Sequence, residues 1–264
     1  MCRDGAILKP GNDMFSVSIE DFEIQGVTLT APTDGDFDAR AQSILGGYAE
    51  PVLEVKPLLA IVSNWNPRTI VAYSVAWTIA RRNDSTEVTY TQFKFPDAVA
   101  GTGGPLAILQ GREIGPGGQR LVGMGFEVWP VEYVDSYRNF GMAAKEQLGE
   151  VKSLHIALDA VIFDDGTMLG PDESHLAEQF IAYVQAKQLR YRDVVVGLET
   201  GRVGDDVFAP LREVVARPHR PNPMDPLSVY DWQSAAEVLG WHDRVVLEVF
   251  RRALRREPFR IRRA

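Results

Sequence analysis

The chain carries one cysteine, Cys2, in 264 residues, so no internal disulfide is available and the fold must stand on apolar burial. Its four histidines, at 155, 175, 219 and 242, never fall at the i, i+4 spacing of a helical metal pair, and no cysteine lies near them; a His/Cys metal centre is not expected. Positive charge is also short. The net charge of −8 excludes whole-surface attraction to nucleic acid or anionic lipid, both of which need a basic field. No apolar run approaches the roughly 18 to 20 residues that cross a bilayer. The opening MCRDGAILKPGND lacks the apolar stretch of a signal peptide, so the expectation is a soluble, cytoplasmic chain. Cys2 beside the first Met also fits the mature start of a trimmed bacterial lipoprotein. G-x-S-x-G is missing, and GTGGPLAIL lacks the Lys-Ser/Thr of a phosphate loop, so neither nucleophilic catalysis nor phosphate-loop nucleotide binding is signalled and no cofactor is expected.

What the chain does contain is strand pattern. In Thr69–Ala80 the large residues Val71, Tyr73, Val75, Trp77 and Ile79 alternate with Ala72, Ser74, Ala76 and Thr78, which puts one face of a strand into a core and requires a second layer over Trp77. Upstream, Val52–Val62 reads as an apolar strand interrupted by Pro57, and NWNPR supplies turn residues, so these two segments are expected to form a hairpin. EVTYTQFKF (87–95) is β-rich. Strands at 108–114 and 119–129 are expected to flank the turn GPGG (115–118), and a short helix to follow at 136–150. In Ser153–Phe163, Leu154, Ile156, Leu158, Ala160 and Ile162 alternate up to an Asp-Gly turn at Asp165-Gly166, leaving Asp159 on the solvent side. Residues 1–50 read as an extended arm with short strands around Phe15–Ile19 and Phe22–Leu29, then an acidic loop. Asp34, Asp36 and Asp38 have the odd spacing of an EF-hand, but Ala39 and Leu45 replace its Gly and Glu, so a solvated turn is expected.

Past Gly170 the period changes. Leu176, Phe180, Tyr183, Val184, Tyr191, Val194, Val195 and Leu198 recur at three and four residues, predicting an amphipathic helix over about 173–196 capped by Asp172. Shorter helices are predicted at 208–215, at 228–239 after the Pro-rich linker 216–226, and at 242–256. The organisation predicted is an N-terminal arm (1–50), a β-sandwich domain (51–170) and a helical C-terminal region (171–264).

Trp77 in a strand, GPGG before a strand and FDDGT closing one together resemble an immunoglobulin-like or fibronectin type III-like module over residues 51–170, without the inter-sheet cysteine pair of antibody domains. The run LDAVIFDDGTMLGPDESHL (158–176) resembles uncharacterised bacterial proteins in which such a strand leads into a helix. The resemblance implies a mainly β fold, an antiparallel immunoglobulin-like β-sandwich plus C-terminal α-helices, and brings no activity with it.

Three polar constellations are candidates for function. Asp164, Asp165, Asp172, Glu173 and His175 form the densest acidic cluster, with the oxygens of a calcium or magnesium site, although a turn and a helix start call for acidic residues on local grounds. Trp65 and Trp129, at strand ends, are candidates for stacking on sugar rings. Arg251, Arg252, Arg255 and Arg256 share a helix side in a tail whose last fourteen residues carry a net charge of +6, which suits local contact with anionic lipid or nucleic acid, or with the acidic body of the chain itself or of a second copy. The leading reading is a non-enzymatic protein-binding or scaffolding sandwich whose partners are proteins or further copies. The alternatives are a carbohydrate-binding module and a metal-dependent hydrolase built on the Asp164–His175 cluster.

Overall fold

The computed structural model describes residues 2–8, 15–20, 26–46, 49–82, 87–94, 113–124, 150–217, 225–240 and 260–263. The chain divides into two compact units, one from residues 1–94, 114–165 and 169–174, the other from 95–113, 166–168 and 175–264.

In the first unit, strands β1 (Cys2–Leu8), β2 (Phe15–Glu20) and β3 (Val27–Thr30) precede helices α1 (Phe37–Leu45) and α2 (Ala49–Leu53) and a 3-10 turn at Lys56–Leu58. Strands β4 (Leu59–Asn64), β5 (Ile70–Arg81), β6 (Glu87–Lys94), β7 (Gln119–Gly123) and β8 (Val151–Phe163) follow. They form two sheets, in the orders β1-β2-β8-β5-β6 and β3-β4-β7.

One core cluster joins both sheets. Tyr73, Val75, Trp77 and Ile79 of β5 and Leu154, Ile156 and Leu158 of β8 share it with Leu29, Ile61 and Leu121 of the smaller sheet, and Trp77 is fully buried. The alternation of β5 is therefore spent as its sequence requires, large residues inward. Strand β4 is buried along its whole length because Phe37, Ala41, Val52 and Val55 of the helical segment join the same cluster. That accounts for its unbroken apolar sequence.

Several expectations are corrected. The larger sheet is mixed, because β2 runs parallel to β8, while the smaller sheet is antiparallel throughout. The arm contributes β2 to the interior of that sheet, between β1 and β8. The acidic loop after residue 30 winds into α1, which has Phe37 and Ala41 to bury. Pro57 sits in a 3-10 turn, where its missing N–H costs nothing, and not in a strand. β4 and β5 are not a hairpin, because NWNPR carries the chain from one sheet to the other. Likewise β7 pairs with β4, while Ile114 bridges Ile70 instead of pairing across GPGG.

Asn64 closes the corner where the chain changes sheets. Fully buried, it gives its backbone N–H to Gly118 (2.9 Å) and accepts from Gly117 (2.7 Å), which fixes the GPGG turn against the end of β4. That turn needs its glycines: Gly117 has φ +73°, and a Cβ on Gly118 would lie 2.8 Å from the Gly115 carbonyl oxygen.

A bulge shapes β8. Ser74 opposes Ala160 and Val75 opposes Leu158, which leaves Asp159 as the extra residue. The inward phase therefore switches from Leu154, Ile156 and Leu158 to Val161 and Phe163. The alternation expected to continue through Ala160 and Ile162 in that core ends there.

The second unit contains α3 (Leu176–Glu199), a 3-10 turn at Gly204–Phe208, α4 (Ala209–Ala216) and α5 (Pro226–Gly240). Asp172 is not the cap of α3; the residue before its first turn is His175, in left-handed conformation at φ 59°. A short strand β9 (Thr167–Leu169) pairs in parallel with β10 (Arg262–Arg263), so those two tail arginines lie in a ladder. The helices predicted at 136–150 and 242–256 lie outside the described residues, apart from Glu150, and so do most of the linker 216–226 and all but Glu113–Ile114 and Gln119–Met124 of the strands at 108–114 and 119–129. No helix among the described residues is long and apolar enough to cross a membrane.

Candidate functional site: a polar row across the open sheet face

Where β2, the first half of β8 and the second half of β5 lie side by side, the face of the larger sheet turned away from the Trp77 core is built of small and polar side chains. Alternation decides this: Ser16, Ser18 and Glu20 interleave with buried Val17 and Ile19, Ser153, His155 and Ala157 with buried Leu154 and Ile156, and Ala76, Thr78 and Ala80 with Trp77 and Ile79. Sheet register then aligns them. Asp4 is opposite Ser18, Ser18 opposite His155, His155 opposite Thr78, and Thr78 opposite Thr89, giving one transverse row over five strands. The flanking rows hold Ser16, Ser153, Ala80 and Glu87 on one side, and Glu20, Ala157, Ala76 and Thr91 on the other. His155 thus stands among the small residues Ser18, Ser153, Ala157, Ala76, Thr78 and Ala80, with Glu20 beside it.

Hydrogen bonds run along the row. Ser18 Oγ lies 3.0 Å from His155 Nδ1, His155 Nε2 lies 3.3 Å from Glu20 Oε2, and the Thr78 and Thr89 hydroxyls are 2.9 Å apart. An ionised carboxylate only accepts, so with a neutral imidazole the proton sits on Nε2 and is donated to Glu20. Nδ1 then keeps its lone pair, and the Ser18 hydroxyl donates to it. The group is half open to solvent: the side chains of His155 and Glu20 are 31% and 40% exposed.

A second polar centre is buried. The Asp159 carboxylate, carried inward by the bulge, accepts from Ser74 Oγ (3.0 Å), the Glu173 amide (2.9 Å), the Ser174 amide (3.1 Å) and the Ser174 hydroxyl. Asp159 is therefore not on the solvent side as its place in the alternation suggested; it is 5% exposed and holds the 170–174 segment, in which Asp172 has φ 60°. Gly170 (φ +106°) is pressed against this bulge, where a Cβ would meet the Asp159 carbonyl oxygen at 2.2 Å.

A third centre lies between helices of the second unit. Arg190 on α3 pairs with Asp193 (2.7 Å) and with Asp231 of α5 (2.9 Å). Burial holds the Asp193 carboxyl above its ordinary 3.8, against the lowering pull of Arg190. Nearby, the Tyr230 hydroxyl donates to Gln179 Oε1 at 2.9 Å, its ring meets Tyr183 edge-on at 5.8 Å, and burial pushes the Tyr230 phenol up to about 12. Lys187, fully buried, sets its Nζ 5.4 Å over the Tyr183 ring. These contacts order the helices.

The residues singled out from sequence have separate fates. Asp165 pairs with Arg68 at 3.2 Å, and Arg68 also covers the Phe163 ring at 4.3 Å. Asp164 is exposed, Asp172 is buried, and the Glu173 amide serves Asp159. His175 is exposed. Among the described residues no group of three or more His, Cys, Asp and Glu is placed to hold a metal ion. Trp65 is 55% exposed. Trp129, Arg251, Arg252, Arg255 and Arg256 lie outside the described residues. The Ser18–His155–Glu20 contact has no signal in any local motif. Its faces follow from alternation, but its members meet only because strands 137 residues apart in sequence become neighbours.

No family model matches the chain, and neither a curated protein nor a solved structure matches it.

Proposed function

We propose that this protein is a binding protein, with an immunoglobulin-like arrangement of sheets, whose contact surface is the open face and the β6 side of the larger sheet. The observation that carries this is strand β6. It pairs with β5 from Glu87 to Lys94, yet Glu87 through Thr91 are exposed on both faces, with Val88 at 37% and Tyr90 at 44%. A strand that buries so little adds little core stability of its own, while its uncharged run Val88–Phe93 lacks the charges, prolines and bulges that normally guard a sheet edge. Such an edge accepts a further strand through backbone hydrogen bonds, so the partner class is protein, including a second copy of this chain.

Capture on the immobilised full chain, compared with a Val88→Glu/Tyr90→Glu double variant, tests this. Proteins retained by the native chain and lost on the variant support the proposal, as does a dimer in sedimentation that the variant abolishes. Identical capture by both, with both sedimenting as monomers, overturns it. Trp65, exposed on the NWNPR corner, supports carbohydrate binding as a second reading. Glycan-array binding abolished by Trp65→Ala and untouched by the β6 variant would put that reading first.

A further inference from the structure

We infer that Ser18 is a nucleophile toward acyl and phosphonyl esters, with His155 as its base and Glu20 as the group that orients the base. The inference stands apart from the binding reading, because it concerns one hydroxyl and needs no partner. Two distances carry it. The distances of 3.0 Å from Ser18 Oγ to His155 Nδ1 and 3.3 Å from His155 Nε2 to Glu20 Oε2 link nucleophile, base and carboxylate in one chain. This is the order of roles in a serine triad, with the two ring nitrogens exchanged. The carboxylate fixes the tautomer, leaving the lone pair on the nitrogen that faces Ser18.

The scaffold also suits the task. Ser18 and Glu20 are two residues apart on one strand and share its outer face, while His155 stands directly opposite Ser18 on β8. All three positions are set by strand geometry. Ser18 is half-buried, and the residues on either side of His155 along β8's outer face are the small Ser153 and Ala157, which leaves room for a small ester beside the hydroxyl.

The surroundings limit the chemistry. β2 lies between β1 and β8, and its register with β1 shifts between Asp4 and Ile7, opposite Ser16–Ser18. No oxyanion-holding amides are assigned beside Ser18, and the loss of such a device alone costs about 100- to 1,000-fold in rate. The substrates that fit are therefore electrophiles with good leaving groups, and the outcome is acylation with slow turnover. In the step, Ser18 Oγ bonds to the acyl carbon or phosphorus as its proton passes to His155 Nδ1. The bond to the leaving group breaks, and that group departs with the electron pair. The imidazolium, stabilised by Glu20, returns its proton to the leaving group or to solvent.

The test is labelling of the full native chain with an alkyl fluorophosphonate, and separately with 4-nitrophenyl acetate, followed by peptide mapping. The expected result is one adduct, on the peptide containing Ser18, formed at least about tenfold more slowly in His155→Gln, since general-base help is worth 100-fold or more in established cases. Glu20→Gln, which keeps size and hydrogen bonding, should slow labelling severalfold while leaving the circular dichroism spectrum unchanged. Mapping on the native chain decides the matter even if a variant fails to fold. An absent adduct, an adduct at another residue, or equal rates in native and His155→Gln chains overturns the inference.

Discussion

Asn64 donates one side-chain hydrogen to the Ile114 carbonyl at 2.7 Å, and its other hydrogen goes to the Arg68 carbonyl at 2.8 Å, while Oδ1 accepts from the Asn66 amide at 3.0 Å. One buried amide thus ties the end of β4, the inter-sheet corner and the approach to β7. Asn64→Asp keeps the shape but points carboxylate oxygen at two carbonyls. It should cost about 2–4 kcal/mol, the scale of a buried polar group left facing its own kind. Urea unfolding of native and variant chains measures this, and a change below about 0.5 kcal/mol, the usual range for surface substitutions, would show that the corner does not depend on Asn64.

Asp159 is the corresponding anchor for the segment that follows β9. Asp159→Asn leaves one acceptor oxygen for donors that now use two, and should destabilise by about 1–3 kcal/mol. Gly170→Ala should do at least as much by another route, because the new Cβ falls 2.2 Å from the Asp159 carbonyl oxygen and φ is +106°. Being in contact, the two changes should prove non-additive in a double-mutant cycle.

Alkaline pH should expose Tyr230. Its phenol is raised from an ordinary 10.0 to about 12 by burial, so between those values the unfolded chain releases the phenolic proton while the folded chain keeps it. The stability contributed is complete below pH 10 and is lost as pH rises through about 12. Urea midpoints of native and Tyr230→Phe chains should therefore converge from pH 9 to pH 11.5, and parallel curves would contradict the burial of this hydroxyl.

Much of this could be read before the fold was known, and the failures have identifiable causes. The inward face of β5 and the helix α3 follow from side-chain period, because each buries one continuous stripe. The segment Val52–Val62 is a strand only in its second half: Val52, Val55 and Leu58 are apolar because they join the core from helical turns, and apolar content alone does not separate that from a strand. Asp159 departs from the solvent side that alternation assigns it because a bulge shifts alternation by one residue and leaves no mark in composition. The polar row was half visible. The faces of Ser18 and His155 were legible, but the parallel pairing that joins them is a long-range choice that neither strand encodes locally.

Everything claimed for the open face depends on β2 lying parallel to β8 in the register that sets Ser16 beside Ser153. The direct test is a chain with Ser16→Cys and Ser153→Cys in a Cys2→Ser background, oxidised and mapped by mass spectrometry. Cα atoms of neighbouring strands fall within the roughly 4.4–6.8 Å that a disulfide spans. The expected result is rapid formation of the 16–153 bond in the folded protein, with little from a control pairing Ser16→Cys with Ala157→Cys. Failure of the 16–153 bond, or equal yield from the control, would mean that the Ser18–His155–Glu20 row does not exist as described.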